Sequence, residues 1–404
     1  MGFMGSLLGL CVSAMFFSLR NVLGDNGAAV EGTVVVNGMG FIGKTDETFI
    51  CATLDWWPPE KCDYGRCSWG HASLLNLDLN NKILLNAVKA FSTLKLRLGG
   101  SLQDIVTYEN ASPNQICSPF SQNSSAMFGF NQGCLPMNRW DELNNFFSES
   151  GAVVVFGLNA LSGKKLDHRG FSTGDWNPAN AESLIRYTVS KNYSILGWEL
   201  GNELSGSGVV TNINADQYAR DTAALNLLLR RIYIDSRSKP FVIGPGGFYD
   251  AKWFNEYLNK TSRFLNVATH HIYNLGAGSD VNLVSKILDP SYLGGEASTF
   301  KAIQDILRST RSSAVSWVGE AGGAYNSGKY GVTNTFAFSF WYLDQLGMAA
   351  KYDTKTYCRQ SLIGGNYGLL DTFSFVPNPD FYSALLWHRL MGRKVLLTSF
   401  RRTK

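Results

Sequence analysis

Residues 195–203 carry the sequence ILGWELGNE, an apolar run that ends in two polar side chains, Asn202 and Glu203. Seven other short runs rich in Val, Ile and Leu alternate with longer segments of helical periodicity, a pattern typical of βα units around a parallel sheet. They begin at Phe49, Lys95, Ala152, Phe241, Val267, Ala314 and Thr356. Eight such units predict an α/β fold, a (β/α)8 TIM barrel over residues 49–392.

An open, doubly wound sheet is the alternative architecture for alternating strands and helices. Such a sheet normally carries a glycine-rich phosphate-binding turn after its first strand. No turn of this kind follows the run that begins at Phe49. The sequence therefore favours the barrel.

The composition of the 404 residues limits the classes of function. Hydrophobic residues make up 45% of the chain and charged residues 17%, which excludes a disordered tail and predicts a large buried core. With 36 basic and 32 acidic residues, the formal net charge of +4 gives no strong field that would attract nucleic acid. We therefore expect no nucleic-acid partner.

The N-terminal segment has the pattern of an export signal. Residues 3–19 are uncharged and largely apolar, Arg20 follows them, and small or polar residues dominate positions 24–29. This pattern predicts a signal peptide over residues 1–24, with cleavage as late as residue 29, and a short uncleaved anchor is the alternative. We expect a secreted protein.

Two further features agree with export. Four sequons for N-glycosylation lie at candidate loops or helix ends, at Asn110, Asn123, Asn192 and Asn259. Of the seven cysteines, all except Cys11 lie outside the leader, and the even number that remains suits an oxidising compartment. Zinc binding by Cys62 and Cys67 is the competing interpretation, but no histidine partner has the matching spacing.

Two glutamates end predicted strands and are the candidate catalytic residues. A TIM barrel places its catalytic side chains at the C-terminal ends of its strands. Glu203 ends the fourth predicted strand and Glu320 ends the seventh, so the two carboxylates should face each other across the barrel mouth. Glycoside hydrolysis needs such a pair, because one carboxyl group protonates the leaving oxygen while the other attacks the anomeric carbon or activates water. A structural ion pair is the alternative for either glutamate taken alone.

Other polar side chains fall on the predicted strands. His270, His271 and Tyr273 end the sixth strand, where we expect them to hydrogen-bond sugar hydroxyls or to orient the nucleophile. A place in the core is the alternative for one of the two histidines. Arg97 lies on the second strand, where a buried guanidinium would keep a neighbouring carboxylate ionised. No third ligand recurs near the histidines, so we expect neither a metal ion nor a cofactor.

Six motifs, taken in order, carry a family resemblance. They are CATLDWW at 51–57, LRLGGSLQD at 96–104, WELGNEL at 198–204, THHIYNLG at 269–276, WVGEAGGAYNSG at 317–328 and YCRQSLIGGNYGLLD at 357–371. Together they resemble the plant heparanase-like proteins of glycoside hydrolase family 79, which are related to animal heparanase and to plant β-glucuronidases. The resemblance implies a retaining hydrolase of β-linked glucuronic acid, with Glu203 as acid/base and Glu320 as nucleophile. It implies an oligosaccharide, proteoglycan or glucuronide substrate, and allows a peripheral membrane association.

The resemblance also implies substrate contacts. Asn202 matches the residue that hydrogen-bonds the sugar 2-hydroxyl, whereas Asn326, Ser327 and Tyr367 match positions that receive the uronic carboxylate. The animal enzyme has glycines in place of Asn326 and Ser327, so this sequence departs from it there. The full set of expected substrate contacts is Asp55, Arg97, Gly100, Ser101, Asn202, His270, His271, Tyr273, Tyr325, Asn326, Ser327 and Tyr367.

The resemblance further implies a C-terminal β-sandwich, to which a strand before the barrel contributes. Here we expect that sandwich to be mostly missing, with residues 30–38 as an orphan strand, residues 393–404 as a short basic tail, and Cys358 without its family partner. The apolar run at 395–400 either pairs with the first strand or is a second orphan. A truncated, inactive or weakly glycan-binding form is therefore one alternative function. A barrel hydrolase of another β-glycoside is the other.

Overall fold

The computed structural model describes residues 32–109 and 117–402. The predicted signal peptide and the sequon at Asn110 lie outside these residues. The chain divides into a small unit, within residues 1–40 and 396–404, and a large unit over residues 41–395. The large unit contains the whole region for which the sequence predicts a barrel.

Sixteen strands are found in the described residues. They are β1 (Gly32–Lys44), β2 (Ile50–Leu54), β3 (Lys95–Leu98), β4 (Val106–Tyr108), β5 (Gly133–Leu135), β6 (Val153–Leu158), β7 (Lys165–Leu166), β8 (Ser172–Thr173), β9 (Gly197–Leu200), β10 (Phe241–Phe248), β11 (Val267–Ile272), β12 (Gly276–Ala277), β13 (Val315–Ala321), β14 (Ala324–Tyr325), β15 (Thr356–Arg359) and β16 (Lys394–Arg402).

Eight of these strands close into a parallel barrel, in the order β2, β3, β6, β9, β10, β11, β13 and β15. The barrel closes where β15 pairs with β2. Each barrel strand begins within two residues of its predicted start. The predicted (β/α)8 barrel is therefore confirmed, and the doubly wound alternative is wrong.

Helices follow most of the barrel strands. The α-helices are α1 (Lys82–Lys89), α2 (Met137–Ser150), α3 (Ala179–Ser190), α4 (Ala215–Ile232), α5 (Ala251–Thr261), α6 (Leu283–Ile287), α7 (Pro290–Leu293), α8 (Ala297–Ser309), α9 (Phe338–Lys351) and α10 (Pro379–Leu390). Three short 3₁₀ helices complete the described set, at Ser101–Ile105, Met127–Gly129 and Gly294–Glu296. Across residues 32–109 and 117–402, no helix is both long and apolar enough to span a bilayer.

Helix boundaries follow the capping residues that the sequence carries. The Asn214 side chain accepts a hydrogen bond from the backbone N–H of Gln217 at the start of α4. Gly151 ends α2 in the left-handed conformation, which a glycine adopts without a steric cost. Both positions match the start and stop signals in the sequence, so the long helices are set locally.

A separate apolar cluster fills the lower part of the barrel. It consists of Val155, Ile243, Val267 and Trp317, each from a different barrel strand. Lys95, the first residue of β3, is 1% exposed, and its ammonium lies 3.8 Å from the centroid of the Trp317 ring. That ammonium donates to the hydroxyl of Thr356 at 2.6 Å and lies 3.8 Å from Asp46. Burial lowers the pKa of Lys95 to about 7, so its charge is costly at neutral pH.

The strand before the barrel has a partner. β1 runs to Lys44 rather than ending at residue 38, and it pairs with β16 in a two-stranded sheet. The expectation of an orphan strand at residues 30–38 was therefore wrong, and the alternative that the apolar run at 395–400 pairs with the first strand is confirmed. In this pairing each strand supplies the other with backbone hydrogen-bond partners.

The cysteines outside the predicted leader form three disulfides. Cys358 on β15 is bonded to Cys51 on β2, so the expectation that Cys358 lacks a partner was wrong. These two cysteines are directly opposite in the pairing of adjacent parallel strands, with Cα atoms 4.1 Å apart. The remaining bonds are Cys62–Cys67 and Cys117–Cys134. The disulfide between Cys62 and Cys67 leaves these residues without the thiolates that would bind zinc.

We predict that Lys95→Met raises the free energy of unfolding by about 1 kcal/mol or more at pH 7, because it removes a charge that burial disfavours. In the variant the Thr356 hydroxyl can still donate to the Asp46 carboxylate, which lies 3.3 Å away. The lowered pKa of Lys95 destabilises the wild type fully below pH 7, and this cost disappears as the pH rises toward the ordinary lysine value of about 10.4. The gain from the substitution should therefore shrink between pH 7 and pH 10.

Denaturant unfolding across this pH range measures the effect. Lys301→Met is the matched control, because the Lys301 side chain is 65% exposed and its removal should change stability little. A loss of stability in Lys95→Met at pH 7 would contradict the prediction.

Candidate active site

Two glutamates and a histidine meet at the C-terminal end of the barrel. Glu203 lies three residues beyond the end of β9, Glu320 is the penultimate residue of β13, and His271 is the penultimate residue of β11. One carboxylate oxygen of each glutamate and one ring nitrogen of His271 all lie within 4.8 Å of one another. The structure therefore brings together the two glutamates that the sequence predicted to face each other.

A cavity of about 490 Å³ opens above these residues. The loops that follow β2, β3, β9, β10, β11, β13 and β15 all contribute to its walls. Its lining residues are Asp55, Trp57, Lys61, Asp63, Trp69, Ser101, Glu203, Val209, Phe248, Tyr273, Glu320, Tyr325, Asn326, Ser327, Gln360 and Tyr367. A concave site of this kind, with aromatic rings beside buried carboxylates, is suited to bind a small ligand that has a polar ring.

Arg97 holds the floor of the cavity together. Its guanidinium is 2% exposed and donates to three groups: through Nε to Glu199 at 2.8 Å, through Nη1 to Glu320 at 2.7 Å and through Nη2 to Asn202 at 2.9 Å. The buried carboxylates raise the pKa of Arg97 against the effect of burial, so the guanidinium stays charged. The planar fork can make these bonds at once, which a lysine could not.

Glu199 and Asn202 are themselves fixed by second partners. The Glu199 carboxylate is fully buried and accepts a further hydrogen bond from the hydroxyl of Thr269 at 2.7 Å. The backbone N–H of Asn202 donates to the buried carboxylate of Asp104 at 2.8 Å. These contacts hold the segment between β9 and Glu203, and with it the guanidinium, in one position.

Glu320 carries a carboxylate that is stabilised in its ionised form. Its Oε2 accepts from Arg97, and its Oε1 accepts from the hydroxyl of Tyr273 at 2.6 Å. Burial and the nearby Glu320 charge raise the pKa of Tyr273, so the phenol keeps its proton and donates it. A carboxylate that accepts from two such donors is suited to act as a nucleophile.

Glu203 lies in a contrasting environment. Its backbone has φ = 55°, an uncommon conformation for a residue other than glycine, and its N–H donates to the Gly246 carbonyl at 2.7 Å. Burial raises the pKa of Glu203 to about 7, and the nearby Arg97 charge opposes this rise without cancelling it. At neutral pH the Glu203 carboxyl is therefore protonated in a large share of molecules.

His271 contacts Glu203 directly, with Nδ1 3.0 Å from the carboxylate oxygen. Burial lowers the pKa of His271 to about 4, so the imidazole is neutral near pH 7. A neutral imidazole either donates its Nδ1 proton to an ionised Glu203 or accepts the proton of a protonated Glu203. His271 can therefore remain hydrogen-bonded to Glu203 in both protonation states.

Asp55 and Gly100 approach closely at one side of the cavity. Burial, with a contribution from Glu320, raises the pKa of Asp55 to about 7, while the Gln360 amide donates to its carboxylate at 3.0 Å. Gly100 has φ = 104°, and a Cβ atom there would lie 2.4 Å from the Asp55 carboxylate. Glycine is therefore required at this position for both conformation and space.

A second wall of the cavity has an unusual backbone. Asn326, Ser327 and Gly328 have φ values of 55°, 65° and 67° in succession. The Ser327 hydroxyl accepts a hydrogen bond from Trp69 Nε1 at 2.9 Å and donates to Asp63 at 2.5 Å. These contacts join the loop after β2 to the loop after β13, and they stabilise a conformation that non-glycine residues seldom adopt.

Comparison with known proteins agrees with this geometry. The model of the family described as "Glycosyl hydrolase family 79, N-terminal domain" matches residues 31–347. The chain belongs to glycosyl hydrolase family 79. Membership makes it a glycosidase of the heparanase and β-glucuronidase group.

Several curated proteins of family 79 are similar over most of this chain. Heparanase-like protein 3 of Arabidopsis thaliana is 61% identical over 93% of this chain and 71% of its own length. Baicalin-beta-D-glucuronidase of Scutellaria baicalensis is 46% identical over the whole chain and 78% of its own length. Mouse heparanase is 34% identical over 64% of this chain and 47% of its own length.

Solved structures support the fold. The GH51 arabinofuranosidase from Xanthomonas axonopodis pv. citri superposes with a TM-score of 0.64 at 13% identity, over 93% of this chain and 79% of that one. A 4-O-alpha-L-rhamnosyl-beta-D-glucuronidase from Fusarium oxysporum gives 0.58 at 16% identity, over 89% and 72%. At such low identities the likeness establishes only that family 79 shares this barrel with other glycoside hydrolases.

The structure places most of the expected site residues at the cavity. Those that line it are Asp55, Ser101, Glu203, Tyr273, Glu320, Tyr325, Asn326, Ser327 and Tyr367. Arg97, Gly100 and His271 lie behind the lining and contact residues that form it. Asn202 contacts Arg97 and directly precedes the lining residue Glu203.

His270 is the exception. Both of its ring nitrogens are buried without a hydrogen-bond partner among the described residues, and its ring packs edge-on against Phe300. Burial lowers the pKa of His270 to about 3, so it is a neutral core side chain. The expectation that His270 binds substrate was wrong, because neighbouring residues on β11 point to opposite faces of the strand.

Several residues of the cavity were not predicted. The lining includes Lys61, Asp63, Trp69, Val209, Phe248 and Gln360. The short spacing of Cys62 and Cys67 was a signal for a closed loop, and that loop carries Asp63 next to Lys61. Val209 and Phe248 follow β9 and end β10, where the sequence shows no pattern that marks them as part of the site. Glu199 was hidden in the apolar context of its strand.

The cluster of Glu203, His271 and Glu320 has the donor atoms of a metal site. The Arg97 guanidinium is already paired with Glu320 and would repel a divalent cation. The absence of a metal or cofactor stays a prediction that rests on this charge.

The sequons also stay predictions. Asn192 and Asn259 are exposed, the first in the turn after α3 and the second near the end of α5. Asn123 is half-buried, and its amide donates to Asn131 at 2.8 Å.

We predict that Arg97→Lys lowers the free energy of unfolding by about 1–3 kcal/mol, because one ammonium leaves buried partners unsatisfied. Glycosidase kcat should fall roughly 100-fold, since Glu320 loses its fixed cation. Denaturant unfolding and turnover of a chromogenic substrate measure the two effects. Arg139→Lys is the control: Arg139 donates to the carbonyls of Leu74 and Leu77 away from the cavity, so it should cost stability and leave kcat unchanged. Equal losses of kcat in both variants would disprove the role of Arg97.

Proposed function

We propose that the protein is a retaining glycosidase of β-linked glucuronic acid, with Glu320 as the nucleophile and Glu203 as the acid/base. The observation that carries the proposal is the contrast between two neighbouring buried carboxyl groups. Glu320 accepts from Arg97 and Tyr273, which favours its ionised form. Burial raises the pKa of Glu203 to about 7, which favours its protonated form. Retaining hydrolysis needs one group in each state.

The proposed reaction has two steps. Glu320 attacks the anomeric carbon and forms a glycosyl ester, while Glu203 donates its proton to the departing glycosidic oxygen. Glu203, now ionised, then removes a proton from water, and the resulting oxygen nucleophile attacks the anomeric carbon and releases Glu320. His271 remains bonded to Glu203 through this cycle, since a neutral imidazole can donate or accept.

The spacing of the carboxyl groups favours double displacement. Retaining enzymes have carboxyl groups about 5–5.5 Å apart, whereas inverting enzymes need about 6.5–9.5 Å to fit a water molecule between them. Oxygens of Glu203 and Glu320 lie within 4.8 Å of each other. This short distance supports the retaining alternative.

Substrate contacts follow from the same cavity. The Asn202 Oδ1 accepts from Arg97, so its amide N–H groups are oriented by that bond and are proposed to contact the sugar 2-hydroxyl. Asp55 and Ser101 are proposed to hold the ring, and Tyr325, Asn326 and Tyr367 to surround its carboxylate end. The printed names of the relatives, a baicalin-beta-D-glucuronidase and heparanases, support glucuronides as the substrate class.

The setting of the reaction is also a proposal. The predicted leader and the exposed sequons at Asn192 and Asn259 support secretion to the cell wall or matrix, with vacuolar, lysosomal or membrane-peripheral sites as alternatives. The substrates would then be oligosaccharides, proteoglycans or glucuronide conjugates of the cell surface.

A substrate panel tests the function. We expect secreted protein to hydrolyse 4-nitrophenyl β-D-glucuronide and to act far less on the β-D-glucoside and β-D-xyloside. Glu320→Gln should abolish turnover while the protein stays folded, because it removes the nucleophile and keeps the shape of the side chain. Turnover of another glycoside alone would indicate a different hydrolase, and turnover of none would indicate a glycan-binding protein. Normal turnover by Glu320→Gln would refute the assignment of the nucleophile.

A second prediction concerns Glu203. In the wild type, kcat/KM should fall as the pH rises through about 7, because Glu203 then loses the proton that it must donate. Glu203→Ala should lack this dependence on a substrate with a good leaving group. Added azide should restore its turnover and yield the β-glucuronyl azide, because a small anion can attack the glycosyl-enzyme without a general base. Tyr249→Phe, a change of a phenol outside the cavity lining, serves as the control and should keep the wild-type profile. An α-azide product, or no azide product, would rule out this role.

A further inference from the structure

The charges around the cavity leave an anionic sugar with few partners. Among the described residues that line it, Asp55, Asp63, Glu203 and Glu320 are acids, and Lys61 is the single cation. Arg97 lies behind the lining, and its Nε, Nη1 and Nη2 atoms already serve Glu199, Glu320 and Asn202. A sugar carboxylate that enters this cavity would be repelled from the catalytic side, and Lys61 offers it the available positive charge.

Lys61 is placed to offer that charge. Its ammonium lies 2.8 Å from Asp63 Oδ1 and 4.7 Å from the centroid of the Trp57 ring. An ammonium has three N–H donors, and Asp63 takes one of them in the described structure. The Lys61 side chain is 22% exposed and that of Asp63 is 9% exposed, so the cation is the more accessible member of this pair.

Asp63 takes one of the three Lys61 N–H donors and leaves the others open to a second anion, while both of its own oxygens are engaged. Oδ1 accepts from Lys61 and Oδ2 accepts from the Ser327 hydroxyl at 2.5 Å. One carboxylate therefore spans the distance between Lys61 and Ser327. An anion that lies against the Asn326–Ser327 wall is consequently within reach of the remaining Lys61 donors.

Lys61 directly precedes a loop that is held in place before any ligand arrives. The disulfide Cys62–Cys67 closes this loop, and Asp63 and Arg66 exchange backbone hydrogen bonds of 2.8 and 3.0 Å across it. The Lys61 ammonium itself lies 4.7 Å from the centroid of the Trp57 ring. A charge on such an ordered element loses little conformational entropy on binding.

We propose that Lys61 binds the carboxylate of the glucuronic acid ring and determines the preference of the site for a uronic acid over a neutral sugar. This inference rests on the proposed function, because it names the residue that recognises the proposed substrate. Lys61 acts in binding, so its loss should affect KM more than kcat.

The experiment compares Lys61→Met, which keeps the length and the contact with Trp57 but removes the charge, with Lys61→Arg, which keeps the charge. Calorimetry measures the binding of D-glucuronate and D-glucose, and kinetics measures 4-nitrophenyl β-D-glucuronide against the β-D-glucoside. We expect Lys61→Met to weaken D-glucuronate binding and to lower the glucuronide-to-glucoside ratio of kcat/KM, each roughly tenfold or more. Lys61→Arg should recover most of both.

Arg66→Met is the matched control. Arg66 lies on the same disulfide loop but outside the cavity lining, and its guanidinium packs over the exposed Tyr330 ring at 4.9 Å. It should bind D-glucuronate as the wild type does. Equal binding by Lys61→Met and the wild type would overturn the inference, and so would a wild type that does not bind D-glucuronate. A wild type that binds D-glucuronate without hydrolysing the glucuronide would instead overturn the proposed function, while the binding comparison still decides the role of Lys61.

Discussion

The active site depends on one buried cation. Arg97 donates to Glu199, Glu320 and Asn202 from a position that is 2% exposed, so the charge has no contact with bulk water to reduce its cost. A buried guanidinium is tolerated when its donors are satisfied by well-placed acceptors. Each of its acceptors lies near or just beyond the C-terminal end of a barrel strand, and the strand order brings them together. The barrel and the site are therefore one arrangement, since neither the cation nor its partners would be stable without the others.

Arg97 also gives the two proposed catalytic carboxyl groups, those of Glu203 and Glu320, different environments. Glu320 accepts hydrogen bonds from Arg97 and Tyr273, whereas burial without such contacts raises the pKa of Glu203. The two carboxyl groups differ because Arg97 donates a hydrogen bond to Glu320 and not to Glu203. Asp55 belongs to this balance too, because the charge on Glu320 contributes to its raised pKa. The acids Asp55, Asp63, Glu203 and Glu320 line the cavity, and Lys61 is the one cation among the described lining residues. The protonation state of each acid therefore depends on the charges of its neighbours.

Sequence reasoning predicted the barrel and both glutamates because both depend on local patterns. Apolar runs mark buried parallel strands, and a polar residue at the end of such a run, as at Glu320, points to the barrel mouth. What it could not predict depends on pairings between distant segments. The bond between Cys51 and Cys358 and the contact of Asp63 with Ser327 each join residues from opposite parts of the chain. The pairing of β1 with β16 was one of two alternatives that the sequence left open. His270 and His271 show another limit of sequence reasoning. The side chains of adjacent residues on a strand point to opposite faces, and the sequence does not show which of the two faces the cavity.

The disulfide between Cys51 and Cys358 joins the first and last strands of the barrel. A closed barrel has no free edge in space, but in chain order it has one seam, where the last strand returns to the first. This bond makes the seam covalent, so the 307-residue span between the two cysteines becomes a ring. A partial opening that begins at the seam, the natural place for a barrel to fray, is then excluded. Asp55 and Gln360, which follow the two bonded strands and touch across the seam, keep their relative position even when other parts of the barrel fluctuate.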